Sequence, residues 1–337
     1  MKTSIHIFIL SASLVIAGAY GIAQAATPLS FQAGNSARST FNVDCYANPD
    51  AFSQPPISNN FAPNTTYNIT GACNGPLYIT ADGVRLVGAD ISASIVMPEG
   101  HPDVANGTIF ADGAHDLRIE NLFIDVTAFS TGAAQGTDAA GVYARNAFVR
   151  LIDSHIEGGL WSINPFRNAI IRLQGDVTFT NFVNAGISVG DQSLVSARGP
   201  VTLSTTVTDN SHVTAVEAYR GGVADFRRGI VVTVPAEDPY AGFFPTAITS
   251  SGHSIVRIRD RGVVIVNGRM AASSSASITM QRGTLNGRID VENSGRLSLS
   301  NINQTGVNDG IHLDLNSTAS INDSKIGLVG AFLGSVI

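Results

Sequence analysis

The sequence predicts an all-β fold, a single-stranded right-handed parallel β-helix, which is a solenoid of about ten coils. Three observations predict it. A unit of two short strands, each alternating apolar and polar residues, returns along the chain with a tight polar turn between the strands. The apolar anchors of the second strand recur at Val84, Leu117, Val149, Ile171, Val195, Ala224, Val256, Ile278, Leu297 and Ala319, at spacings of 19 to 33 residues. No stretch carries a 3.6-residue period, so helices connecting parallel strands are not expected. Parallel strands without crossover helices, at such a period, stack as coils.

The chain opens with Met1-Lys2, an apolar run from Ile5 to Gly18, and Ala23-Gln24-Ala25 before Ala26. A positive start, an apolar stretch and a small-x-small site predict a secretory signal peptide over 1–25, a membrane anchor being the alternative. No later segment reaches the ~18 to 20 uninterrupted apolar residues that span a bilayer. The expectation is an exported chain without a transmembrane segment, located in the periplasm, at the cell surface or outside the cell.

Residues 26–76 read as an N-terminal cap and first coil. Cys45 and Cys73 are the only cysteines, and an even pair in an oxidising compartment predicts a disulfide. It would contribute roughly 3 to 4 kcal/mol in the chain-entropy model. Residues 77–325 hold the coils, whose first strands begin with Leu77-Tyr78-Ile79 and return through Ile109-Phe110-Ala111 and Val142-Tyr143-Ala144 to Ile289-Asp290-Val291 and Ile311-His312-Leu313. Gly, Asn, Ser and Asp punctuate every copy, as turns require. Residues 326–337, uncharged and largely apolar, read as a C-terminal cap over the last coil, or as a docking segment for a partner.

Only 14% of residues are charged, the formal charge is −6, and the lysines are Lys2 and Lys325. An acidic chain argues against nucleic acid as a partner, because phosphate binding needs a basic footprint. A local basic strip remains compatible with that balance.

The phrases Val84-Arg85-Leu86, Leu117-Arg118-Ile119-Glu120-Asn121-Leu122 and Val149-Arg150-Leu151-Ile152-Asp153-Ser154 resemble the coil sequences of the pectate-lyase-like superfamily of parallel β-helix proteins. The resemblance covers roughly residues 40 to 330. It implies the fold, and it implies work on extracellular polysaccharide. Enzymes, adhesins and tailspike-like proteins share these motifs, so the chemistry stays open. The chain lacks the Asn-Thr-Asp, Asp-Asp and Gly-His-Gly set of polygalacturonases and the Arg-x-Pro-x-x-Arg pattern of pectate lyases. It also lacks the Asp-Pro-His motif of alginate epimerases, since His101-Pro102-Asp103 has the wrong order.

On stacked coils, an outward position recurs about 4.8 Å away on the next coil, so candidate sites are columns. Tyr78, Phe110 and Tyr143 form one such column, either a platform for sugar rings or a surface covered by a cap or by loop 125–141. Arg85, Arg118, Arg150 and Arg172 form a second. They would track an acidic polysaccharide, or be neutralised by neighbours such as Glu120 and Asp153. Asp290 and Glu292, with His312 and Asp314 on the next coil, offer carboxylates that would hold Ca²⁺ or divide acid and base roles, or simply form a solvated face.

A central group contains Glu217, Tyr219, Arg220, Asp225, Arg227, Arg228, His253, Arg257, Arg259 and Arg261. Of these, Tyr219, Arg220, Arg228, His253 and Arg259 are the catalytic candidates. Removal of a uronate C5 proton needs a base and a positive group beside the carboxylate. The Pro- and aromatic-rich insertion from Val234 to Pro245 would wall such a groove. Two functions follow: a secreted β-helix that binds extracellular or cell-surface polysaccharide, acidic in one reading, or a lyase or epimerase acting on uronate glycans.

Overall fold

The computed structural model describes residues 38–54, 57–101, 107–129, 139–208, 213–236, 245–259, 261–305, 310–331 and 334–337. Residues 1–25, the expected signal peptide, lie outside them. Among the described residues no helix is long and apolar enough to cross a membrane.

Strands pair in parallel along three faces, and the chain is a parallel β-helix. The first face runs from Leu77–Ile79 through Ile109–Asp112 and Ala140–Arg145 to Gly310–Leu313 and Leu328–Ala331. The second begins at Ser39–Asp44 and Thr65–Thr70 and ends at Thr318–Asn322. The third, which the two-strand repeat did not anticipate, contains Ala72–Asn74, Ser94–Val96, Phe123–Val126, His155–Gly158 and Val177–Thr180 and continues to Val264–Asn267. Strands Ser277–Asn286 and Arg296–Gln304 run unbroken from the second face into the third, which joins those two faces into one sheet.

The predicted anchors fall into register. Leu117 faces Val149, Val149 faces Ile171, and the series continues through Val195, Ala224, Val256, Ile278 and Leu297 to Ala319. These side chains point inward and are buried. Burying each large aliphatic chain is worth about 1.5–3 kcal/mol, so repetition of the column supplies the core.

Between the first and second faces the chain turns on pairs of left-handed residues such as Arg167-Asn168, Asp191-Gln192, Ser274-Ser275 and Asn293-Ser294. Between the second and third faces, narrow corners use a single left-handed residue, Asn121 or Asp153. Asn and Asp tolerate that conformation better than other side chains. The same corner widens to Arg198-Gly199-Pro200 and Arg227-Arg228-Gly229 in later coils.

The disulfide Cys45–Cys73 is formed, with Cα atoms 5.1 Å apart. It ties the segment after Ser39–Asp44 to the third-face strand Ala72–Asn74. Beside it, Phe52 and Phe61 pack on Tyr67 at centroid distances of 6.1 and 5.3 Å. At the other end, Leu328–Ala331 extends the first face and Val336 bridges to Thr318, with Leu328, Val336 and Ile337 exposed.

Candidate functional site

The first-face column exists as the sequence predicts: Tyr78, Phe110 and Tyr143 face one another on successive coils. Their rings do not lie flat. Neighbours tilt by 69° and 61° at centroid distances of 4.9 and 5.3 Å, so each ring offers an edge to the next. Phe110 is only 4% exposed, and the Arg145 guanidinium lies 5.4 Å from its centroid. Arg145 is itself paired with Asp112, which also accepts from the Tyr78 hydroxyl at 3.3 Å. Arg145 holds the Asp112 carboxyl below its usual pKa. The part of loop 125–141 from 130 to 138 lies outside the described residues.

On the second face Arg85, Arg118, Arg150 and Arg172 are in register, followed by Ser196, Asp225 and Arg257. Two residues further along each strand a second column carries Glu120, Ile152 and Gln174, then Arg198, Arg227 and Arg259. Arg228 and Arg261 stand in the adjoining corner. Of the 20 basic residues two are lysines, leaving 18 arginines, and twelve of those 18 lie on this face or its corner.

Compensation is partial. Arg85 donates to both Glu120 oxygens, at 2.8 and 2.9 Å. The other expected partner needs correction: Asp153 accepts from the backbone N–H of Asp176 instead. Asp116 takes its place, lying 2.9 Å from Arg150 and 3.5 Å from Arg118. Asp225, 4% exposed, is held by Arg227 at 2.7 Å and Arg259 at 2.9 Å.

Arg172, Arg198, Arg228, Arg257 and Arg261 have no carboxylate partner among the described residues. Arg150 and Arg172 both lie 5.1 Å from the Phe148 ring centroid, a contact that attracts each cation without neutralising it. Burial, together with Arg198, Arg150 and Arg227, pushes the Arg172 pKa down. Burial is the largest cause, the neighbouring arginines add to it, and Asp116 opposes it. Arg198, Arg227, Arg228 and Arg261 line one concavity of about 180 Å³.

The five catalytic candidates occupy two corners. Tyr219 and Arg220 follow the first-face strand Thr214–Ala218, and His253 occupies the matching corner of the next coil, where Gly252 approaches the Arg220 backbone. Arg220 is 3.9 Å from Asp191. Arg228 and Arg259 lie beyond the far end of second-face strands of four residues, about 13 Å long. No single groove collects all five. Residues 237–244 of the Val234–Pro245 insertion lie outside the described residues.

Of the cation candidates Asp290, Glu292 and Asp314, the first is already engaged by arginines. Asp290 is buried, and its carboxylate is taken by Arg269 at 2.5 Å and Arg288 at 3.1 Å. Among the described residues no three His, Cys, Asp or Glu side chains are grouped to hold a metal ion.

One arginine of that concavity, Arg198, escaped the sequence reading. Arg198 stands three positions after anchor Val195, as Arg227 stands after Ala224 and Arg259 after Val256. Aligning the strands two residues further would have revealed it. No protein-family model matches the chain, and neither a curated protein nor a solved structure matches it significantly.

Proposed function

We propose that this protein binds an acidic polysaccharide, carboxylated or sulfated, of the extracellular space or cell surface, along the arginine face between Arg150 and Arg261. The observation that carries the reading is an excess of guanidinium groups on one face of a chain whose formal charge is −6. Arginine forks match carboxylate and sulfate oxygens two at a time and keep their charge at any physiological pH. Successive coils repeat the groups about every 4.8 Å, comparable to the length of a single sugar residue, so a polymer lying along the stack meets a cation on coil after coil. Export of the chain rests on its N-terminal sequence.

Titration of the protein with oligogalacturonate, oligoalginate and a sulfated glycan tests this. Binding to at least one of them is expected, weakening as salt rises. Retention of full affinity after Arg198→Ala, Arg228→Ala and Arg261→Ala together would refute it. Appearance of unsaturated product absorbance during the same incubations would instead favour the lyase reading.

A further inference from the structure

The first-face column continues beyond its aromatic members. After Tyr143 it carries Asn164, Ser188 and Glu217, each beginning one residue past an inward anchor. Ser188 faces Glu217 in the ladder, and its hydroxyl donates to Glu217 Oε2 at 3.1 Å. The Tyr219 hydroxyl also meets Ser188. The ring of Tyr219 lies over Gly190, where a Cβ would stand 2.3 Å from a ring carbon. Only glycine leaves room for that ring.

Asn164 is 6% exposed and Ser188 2% exposed, yet the Asn164 Oδ1 has no hydrogen-bond partner. A buried acceptor left unpaired costs about 1–3 kcal/mol. Structural asparagines are paired, so an orphan of this kind marks a place where a donor belongs. Burial pushes the Glu217 carboxyl up, against the opposing Ser188 hydrogen bond, and pushes the Tyr219 phenol up as well. Nearby, Phe166 stands two residues along the strand from Asn164 and 6.4 Å from the Tyr143 ring.

We infer that Asn164, Ser188, Glu217 and Tyr219 form a recognition site for the hydroxyl groups of an uncharged sugar residue. A sugar hydroxyl donates to Asn164 Oδ1, while the hydroxyls of Ser188 and Tyr219 donate and accept and the Glu217 carboxyl accepts from its neighbours. Phe166 and Tyr143 offer apolar area to the C–H face of the ring. A uronate or sulfate finds no cation among these four side chains. The site lies on a different face from the arginines and stands independently of the role proposed for them.

Isothermal titration with neutral hexasaccharides of β-1,4-glucose, β-1,4-mannose, β-1,4-galactose and β-1,4-xylose tests it, with hexagalacturonate run alongside. At least one neutral hexamer is expected to bind. Asn164→Leu, which removes the orphan acceptor at nearly constant volume, is expected to weaken that binding at least tenfold while leaving Tm at or above wild type. Tyr219→Phe, a smaller change, is expected to cost severalfold. Arg228→Ala with Arg261→Ala is expected to leave neutral binding within twofold and to lower only hexagalacturonate binding. Three results would overturn the inference: no binding by any neutral hexamer, unchanged affinity in both Asn164→Leu and Tyr219→Phe, or a lowered Tm or failure to fold in Asn164→Leu, which would show that Oδ1 serves the fold.

Discussion

The corner between the second and third faces has two characters. In its earlier coils it presents Asp90, Asp153 and Asp176, which line an open concavity of about 650 Å³ with Phe123 and His155. In the later coils the same corner presents Arg198, Arg227, Arg228 and Arg261. The strands on either side hardly differ, since both halves bury an aliphatic column at the same register. The inward residues are constrained by packing, whereas the corner residues need only make the turn. Charge can therefore be changed along a solenoid corner without disturbing its core. The acidic corner residues also perform local backbone work: Asp153 accepts from the Asp176 N–H, and Asp90 accepts from the Ser92 backbone and hydroxyl. In the basic corner Arg227 holds Asp225, whereas Arg198, Arg228 and Arg261 are exposed and have no carboxylate partner among the described residues.

This contrast can be broken most severely by reversing the basic half. Arg198→Glu, Arg228→Glu and Arg261→Glu together are expected to reduce affinity for an acidic oligosaccharide on the order of a hundredfold, about 3 kcal/mol. Thermal melting should hardly change, because none of the three carries a carboxylate partner. Calorimetric titration and a melting curve check both halves of that statement. Next comes Asp225→Asn, which leaves Arg227 and Arg259 without their shared partner. Both arginines are partly exposed, so water offsets much of the loss, and a destabilisation of about 1–2 kcal/mol is expected in urea unfolding. Polyanion affinity should rise as the two guanidinium groups are released.

A milder change extends the basic half into the acidic one. Asp176→Arg, at an exposed position adjoining the Arg198 corner, is expected to raise affinity for the acidic ligand a few-fold, most visibly in the association rate at low salt. The smallest effect is set by pH. Burial lowers the His155 pKa from the ordinary histidine value of 6.5, with Glu157 opposing. A histidine depressed in the folded state contributes stability above its unfolded pKa and loses it as pH falls through the folded value. Acidification below about 6.5 should therefore loosen the acidic half, seen as faster amide exchange in His155–Gly158, and His155→Gln should abolish that dependence. Over the same interval the arginine half should exchange at a rate that changes only with intrinsic chemistry.

The sequence makes the two anchored faces legible because inward residues repeat every second position and large spacings fall at corners. Val149 and Ile171, or Ile278 and Leu297, could be aligned without coordinates. The third face hides for a definite reason. In Val149-Arg150-Leu151-Ile152-Asp153-Ser154-His155-Ile156, one left-handed residue at Asp153 shifts the alternation, so two strands read as a single irregular one. Columns of candidate residues were equally legible: Tyr78 with Phe110 and Tyr143, and Arg85 through Arg172. Corners were not, because turn residues have no hydrophobic period. Asp116, the partner of Arg118 and Arg150, precedes its strand, and Arg220 and Arg228 are separated by a whole strand that spacing alone cannot orient.

Where Ser277–Asn286 and Arg296–Gln304 carry the second face into the third, the corner is made of paired backbone and not of a loop. A loop can flex independently of the strands it connects. A corner hydrogen-bonded to the coil on either side behaves more like a folded edge in sheet metal, resisting shear between the two walls. The arginine-lined segment lies immediately next to this braced stretch, so a long polymer pulling on those guanidinium groups would load a stiff flange, and tension would pass into the walls before any turn had to yield.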